Sequence, residues 1–590
     1  MSTTIEVHKQ NICQLLGSSK EHIFVIPEYQ RPYAWGIEEV DTLFDDLWDF
    51  SSSPNGGSDH NGTYFLGSIV SFTNENGEQE IIDGQQRITS LFLLLRAIYT
   101  KLKQEETNTK EAIHFSQQIE SAIWRTNRLT GEVNYDAVLL RSDVINNEGN
   151  KILLDILRSG NANAKNPDKY TQNYLRFQHK LDEAAKTAPL SIYNFIYALL
   201  HQAIILPISA DTQNTALTIF STLNDRGLPL SDADIFKATI YNGLERDEKA
   251  LFIEKWKDLD ELAQESNESI QKLFYYYMFC LRAREKDSNS TLPGMRKYYA
   301  ENKSQRLGAI SLMEDLFSLA YFWRYVNKRD NIDNEPWCCN IHIQQTLDIL
   351  SSYPNEFWKY PVMTYYLSHR HTHDFETLFM KFLRKLAAEL TSCYLLMPTV
   401  NAVKTDILKL DVDIIESTQP TFDFKGDDEE TVRVKIRNPH KNIVRMLLKI
   451  LAYQHPGQKS LLPTTWEIEH IFPRKYQVAY FPNADKNHIE ERIEHIGNKV
   501  PLEKKLNIIA GNGYFEKKKK EYDQSSIQIA HDLTNRSSWG LDDILERDIH
   551  QSEIIFNVFS EWKKLYTNAS APTPEQLRQI EEYRSKGWIS

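Results

Sequence analysis

The chain has 590 residues, 41% hydrophobic and 25% charged, with a net charge of −13 and a pI near 5.8. That composition fits a globular protein with sizeable cores, and the length suits roughly four domain-sized units or two large ones. The acidic balance argues against a protein that coats nucleic acid through its overall charge, and is compatible with a local basic groove. Cys13, Cys280, Cys338, Cys339 and Cys393 form no CxxC pair. An odd, scattered set reads as reduced thiols of a cytoplasmic protein, neither a disulfide framework nor a zinc site. The first residues lack the basic and apolar regions of a signal peptide. No apolar run reaches about 18 residues, so no membrane partner is expected.

Ile23–Pro27 reads as a short strand leading into Glu28-Tyr29-Gln30-Arg31-Pro32-Tyr33-Ala34-Trp35, which two prolines hold extended. Val40, Leu43, Phe44, Leu47 and Trp48 have helical spacing. A hairpin is predicted from Tyr64–Phe72, a turn at Asn74-Glu75-Asn76-Gly77 and a return strand Gln79–Ile82. The return strand runs into Asp83-Gly84-Gln85-Gln86-Arg87, with a helix from about Ile88-Thr89. Strand, glycine turn and helix N-terminus together favour an anion, because free N–H groups and the helix dipole face one point. Arg87 adds a planar fork suited to phosphate oxygens, although a pairing with an acid explains it equally well. Further on, Phe220–Leu230 is a polar loop carrying Asn224 and Arg226, and Ser231 with Asp234 makes a capping box for the next helix.

The segments Ile26–Trp35, Ile82–Arg87 and Phe220–Leu230, in that order, resemble the three signature motifs of the N-terminal domain of GmrSD-type modification-dependent (type IV) restriction proteins. The resemblance implies a ParB/sulfiredoxin-like fold that binds and hydrolyses a nucleoside triphosphate. It places Gln30, Arg31, Asp83, Gly84, Gln85, Gln86, Arg87, Asn224 and Arg226 near the nucleotide. No Walker A pattern is present, so any nucleotide use falls to the Asp83–Arg87 region.

The middle of the chain reads as helical and rich in aromatics, as in Leu273–Phe279 and Phe317–Trp323, which are expected to be core rather than stacking platforms. His369 and His373 have i, i+4 spacing, but Arg370 stands where a metalloprotease helix needs an acid. A polar helix end is the expectation there. Residues 415–432 are polar and acidic and read as a boundary.

Near the C-terminal end, Trp466-Glu467-Ile468-Glu469-His470-Ile471-Phe472-Pro473 is followed by Ile496-Gly497-Asn498-Lys499-Val500 and by Leu506-Asn507. Phosphodiester hydrolysis needs an activated water and neutralised phosphate charge, which a neutral imidazole and a divalent ion supply. His470 is the candidate general base. Glu469 is a candidate metal ligand, although consecutive strand residues face opposite sides and need a strand end to converge. Asn498 is a candidate to orient the imidazole or a loop, and Asn507 offers an amide oxygen from a helix start. Between residues 499 and 520 there are seven Lys against two Glu. Lys518 is the preferred phosphate contact within that run.

This constellation resembles the HNH (ββα-metal) nuclease motif in its His-Asn-Asn form. The continuation Asn507-x4-Asn512-x2-Phe515-x2-Lys518 fits the nuclease domain that accompanies the GmrSD N-terminal domain. Glu469 departs from the more usual Asp. The tail beyond about 522 offers no chemistry in sequence.

The expected architecture is α+β and predominantly helical. It divides into a ParB/sulfiredoxin-like domain at 1–245 for nucleotide binding and modification sensing, a helical middle at 246–425, and an HNH endonuclease domain at 426–590. The resemblance implies Mg²⁺-dependent cutting of double-stranded DNA with modified bases, such as glucosylated or hydroxymethylated cytosine, under nucleotide control. The oligomeric state is left open, a homodimer included. Rival readings are a phosphorothioate-sensing nuclease or nickase, a non-catalytic DNA-binding regulator, and an RNase.

Overall fold

The computed structural model describes residues 5–566 apart from 8, 19–22, 54–55, 57–60, 105–108, 128, 145–146, 164, 166, 190, 214, 217–218, 220–230, 309–310, 425–427 and 478–485. The chain forms two compact units, Met1–Trp256 and Lys257–Ser590. Among the described residues, no helix is long and apolar enough to cross a membrane.

The first unit is built on a mixed sheet. Its strands are β1 (Ile5–Val7), β2 (Gln10–Asn11), β3 (Phe24–Ile26), β4 (Tyr64–Thr73) and β5 (Gln79–Asp83). A separate hairpin follows from β6 (Trp124–Thr126) and β7 (Val133–Val138), and β8 (Leu140–Ser142) and β9 (Ala203–Ala210) rejoin the main sheet. The order is β1-β9-β4-β5-β3-β8, with β2 also on β9. β4 runs parallel to β9 and antiparallel to β5, while β3 is parallel to both β5 and β8. The β4–β5 hairpin matches the expectation because its turn chemistry is strong. Asn74 Oδ1 accepts from the N–H groups of Asn76 and Glu78 at 3.0 and 2.9 Å, and Gly77 takes φ +76°.

The helix Gln85–Gln104 lies within the larger core of this unit. Leu91 to Leu95 are all at most 1% exposed, so this helix is apolar around its whole circumference at that point. It begins three residues before the predicted start. Gly84 at φ +90° turns the chain directly out of β5, its carbonyl accepts from Ile88 N at 2.9 Å, and Gln85 to Arg87 form the first turn. The other sheet face carries a smaller cluster of Tyr29, Val70, Phe72, Ile82 and Ile208.

Among the described residues, the second unit is helical apart from one two-stranded sheet. Its aromatic runs are core, as expected: Phe274, Tyr276, Tyr277, Phe322 and Trp323 are fully buried, and Trp323 lies 5.7 Å from Tyr276 and 5.6 Å from Trp358, centroid to centroid. His369 ends the helix Lys359–His369, its Nε2 2.6 Å from the Ile414 carbonyl oxygen, while His371 and His373 are exposed. The small sheet pairs β10 (Trp466–His470) with β11 (Lys499–Glu503), antiparallel, from Trp466↔Glu503 to His470↔Lys499. Helices Lys504–Ala510, Phe515–Asp523 and Leu541–Lys563 follow.

Candidate active site

Asp83, Gly84, Gln85, Gln86 and Arg87 lie at one end of β5 and the first turn of the following helix, beside Gln30 and Arg31. Gly84 has no room for a side chain, since a Cβ would sit 2.9 Å from the Ile69 side chain. Gly67, at φ +105°, leaves the space through which Arg87 passes, and Arg87 Nη1 donates to the Ser68 carbonyl at 2.8 Å. Burial depresses the Arg87 guanidinium, and Asp83 opposes this. Burial raises the Asp83 carboxyl, against the Gly84 N–H, Arg87 and Arg31.

Two of the glutamines hold the scaffold. Gln86 Oε1 accepts from the N–H groups of Ala34 and Trp35 at 2.6 and 3.1 Å, and Gln30 Nε2 donates to the Ile82 carbonyl at 3.1 Å. Buried Gln30 Oε1, Arg31 Nε and Gln85 Oε1 have no hydrogen-bond partner among the described residues, which fits a polar ligand at this point. Asn224 and Arg226 lie outside the described residues. A separate cleft of about 670 Å³ lies at the turn end of the β4–β5 hairpin, but Glu28, Glu78, Glu80 and Asp143 line it and disfavour phosphate.

In the second unit, His470 ends β10 with its side chain 14% exposed. Its Nε2 lies 3.6 Å from Glu494 Oε2, beyond a hydrogen bond but close enough for electrostatic attraction. Glu494 is itself held by Arg474, whose Nε and Nη2 donate at 3.0 and 2.9 Å, and by Lys499 at 3.0 Å. Burial lowers the His470 pKa to about 4, with Arg474 and Lys499 adding to it and Glu494 opposing. The imidazole is therefore neutral at physiological pH and able to accept a proton.

Glu469 points the other way. It is 3% exposed, and its Oε1 accepts from Lys518 Nζ at 2.8 Å and from the Tyr522 hydroxyl at 3.0 Å. Lys518 Nζ also donates to the carbonyl of His470. Burial raises the Glu469 carboxyl and depresses the Lys518 ammonium, and their mutual attraction opposes both shifts. The alternation of a strand thus keeps Glu469 and His470 on different faces. Lys518 does not fit the expected phosphate contact, because at 1% exposure its ammonium ties two adjacent strand residues to the helix Phe515–Asp523.

Asn498 is fully buried and clamps the turn after His470. Its Oδ1 accepts from Phe472 N at 2.7 Å and from Trp539 Nε1 at 3.3 Å, and its Nδ2 donates to the carbonyls of Phe472 and Ile493 at 3.1 and 3.0 Å. It positions the loop and not the imidazole. Asn498→Ala would strand several buried groups, and should lower the unfolding free energy by at least about 2 kcal/mol in urea titration, with cleavage falling in step.

Asn507 sits in the second turn of Lys504–Ala510 rather than at its start, half-buried, and no side-chain hydrogen bond engages it among the described residues. A divalent ion therefore fits these residues in part. The Asn507 amide oxygen is free to ligate, but the Glu469 carboxylate is committed to Lys518 and Tyr522. Among the described residues, no group of three or more His, Cys, Asp or Glu forms a ready ion cage.

The supports of this site come from segments whose sequence carries no nuclease signature. Asp548 on Leu541–Lys563 accepts from Gly497 N at 2.6 Å and lies 2.6 Å from His495 Nδ1. Arg547 Nη1 donates to the carbonyls of Gly497 and Lys499 at 2.8 and 3.0 Å. A Cβ on Gly497 would lie 2.4 Å from the Ile544 carbonyl oxygen, which explains glycine before Asn498. Glu494 is the one missed residue with a local cue, an acid four positions before Asn498 in the apolar run Ile489, Ile493, Ile496.

Residues 12–241 match the family model described as GmrSD restriction endonuclease, N-terminal domain. Residues 426–550 match the one described as GmrSD restriction endonucleases, C-terminal domain. No curated protein matches the chain.

Proposed function

The chain belongs to the GmrSD restriction endonuclease family, and from that premise we propose that it is a modification-dependent, HNH-type DNA endonuclease under nucleotide control. The observation that carries the nuclease part is His470, a neutral imidazole at the end of β10, whose antiparallel partner β11 runs directly into the helix bearing Asn507. The Glu494 carboxylate beside Nε2 favours a proton on that nitrogen, leaving Nδ1 to take a proton from the attacking water. Asn498 clamps the loop that follows His470, and Lys518 holds the His470 carbonyl at the strand end. Mg²⁺ or another divalent ion, held by Asn507 and by Glu469 if freed from Lys518, would neutralise phosphate charge and stabilise the leaving oxygen. In the first unit, Arg87, Arg31 and the first turn of Gln85–Gln104 would bind the phosphates of a nucleoside triphosphate.

The test is cleavage of base-modified, phosphorothioate and plain DNA, and of RNA, with Mg²⁺ and with or without nucleotide. Selective cutting of base-modified DNA is expected. Cutting confined to phosphorothioate DNA or RNA, or none by the wild type, overturns the reading. For the nucleotide, Arg87→Ala should weaken triphosphate binding about tenfold or more in titration calorimetry with an unchanged circular dichroism spectrum. Unchanged affinity would move the nucleotide elsewhere.

A further inference from the structure

The helix Lys504–Ala510, which carries Asn507, presents two adjacent aliphatic side chains to solvent: Ile508 is 69% exposed and Ile509 52%. The helix follows directly on β11, the partner of the strand that ends in His470. Four exposed lysines, Lys504, Lys505, Lys517 and Lys520, lie on this helix and on Phe515–Asp523, which packs against it. None has an ion-pair partner among the described residues. The neighbouring Lys518 and Lys519 differ, being engaged with Glu469 and with the Arg536 carbonyl. Glu516 and Asp523 are the exposed acids of the second helix, so the apolar pair is set where exposed lysines outnumber exposed acids. A second copy of this chain placed here would bring lysines against lysines, and a neutral apolar peptide would leave them unanswered. A polyanion with separable apolar layers satisfies both features.

We infer that Ile508 and Ile509 form a wedge that enters the minor groove of duplex DNA and unstacks one base step, while Lys504, Lys505, Lys517 and Lys520 grip the flanking phosphates. Aliphatic side chains open base steps in this way, and lysine contacts supply sequence-independent grip. The wedge lies on the same helix as Asn507, one and two positions on, so on the nuclease reading the helix that offers Asn507 also carries the wedge. The inference rests on the nuclease reading above and names how its substrate is held.

The test uses the full chain and short duplexes containing 5-hydroxymethylcytosine, intact or with an abasic site that removes the stacking cost in advance. The double variant Ile508→Ser, Ile509→Ser should cut the intact duplex about tenfold more slowly or worse, and the abasic duplex within about threefold of wild type. In a His470→Ala background, 2-aminopurine placed along the duplex should brighten at one step on binding, and the wedge variant should abolish that signal. Equal losses on both duplexes, no loss on either, or an unchanged 2-aminopurine signal overturns the wedge. A change of oligomeric state in sedimentation without any effect on DNA would assign the pair to self-association instead, and also overturns it. Absence of cleavage by the wild type on this duplex and on every DNA of the panel above sinks the nuclease reading, while the fluorescence arm still decides the wedge.

Discussion

His470→Ala should lower DNA cleavage by about 10²- to 10⁴-fold, the range for losing a general base, with DNA binding retained in an anisotropy titration. The retained binding follows because the exposed lysines are untouched. The acid limb of kcat/KM in the wild type should fall near pH 4, where the buried imidazole titrates, and not near 6.5. The cause is desolvation: a charged ring at 14% side-chain exposure loses hydration, and Arg474 and Lys499 repel it further. Stability has a definite sign too. The folded pKa is depressed, so the neutral ring costs nothing above the unfolded value near 6.5. As pH falls from there toward 4, the unfolded chain takes up a proton that the folded chain refuses, and stability drops by up to about 3 kcal/mol from this group. His470→Ala should remove that part of the acid sensitivity. An acid limb unchanged by burial-relieving substitutions nearby, or identical cleavage by wild type and His470→Ala, would refute the assignment.

Lys518→Met should destabilise the chain by about 3–5 kcal/mol, the cost of leaving one partner of a buried ion pair uncompensated. Lys518 and Glu469 side chains are 1% and 4% exposed, so solvent does not screen them. Adding Glu469→Gln should recover most of the loss, because the remaining amide needs no cation. The deficit of the single variant should shrink as pH falls toward the ordinary carboxylate range. Burial raises the Glu469 carboxyl, so without the ammonium it takes up a proton earlier as pH falls than it would in water, and the missing partner matters least there. Urea denaturation at about pH 8 and about pH 5 measures both effects. A residue that merely touched DNA phosphate would instead leave stability unchanged and reduce the salt dependence of binding. The same variant frees the His470 carbonyl, so a loss of cleavage beyond the loss of folded protein is also expected.

The local structure around both candidate sites was legible in sequence wherever local chemistry dictates it. Gly84 and the following turn announce a helix N-terminus, and the turn Asn74–Gly77 announces its hairpin. Glu469, His470, Asn498 and Asn507 follow the order of strand, loop, strand and helix that the structure displays. Less legible was what each side chain faces. Gln86 was read as a nucleotide contact, yet it holds the backbone of Ala34 and Trp35. Lys518 was read as the preferred phosphate contact of a basic run, yet it is buried against Glu469. Its spacing places it on the inner face of Phe515–Asp523 with Phe515 and Tyr522, a pattern recognisable once the helix is known to lie against β10.

What the sequence by itself determined is the inventory and order of chemistry: an acid-His pair, two spaced asparagines, a glycine turn before Arg87 and a family to which these motifs belong. Those are local properties, fixed by turn preferences, strand alternation and helix period within a dozen residues. The tertiary structure alone decided that Glu469 is neutralised by Lys518 and Tyr522, that Glu494 faces His470, and that Asp548, Arg547 and Trp539 anchor the loop of Asn498. Burial and ion pairing depend on which distant elements pack together, and the energy of a charged group is set by the neighbours and solvent it meets there, quantities that no local spacing records.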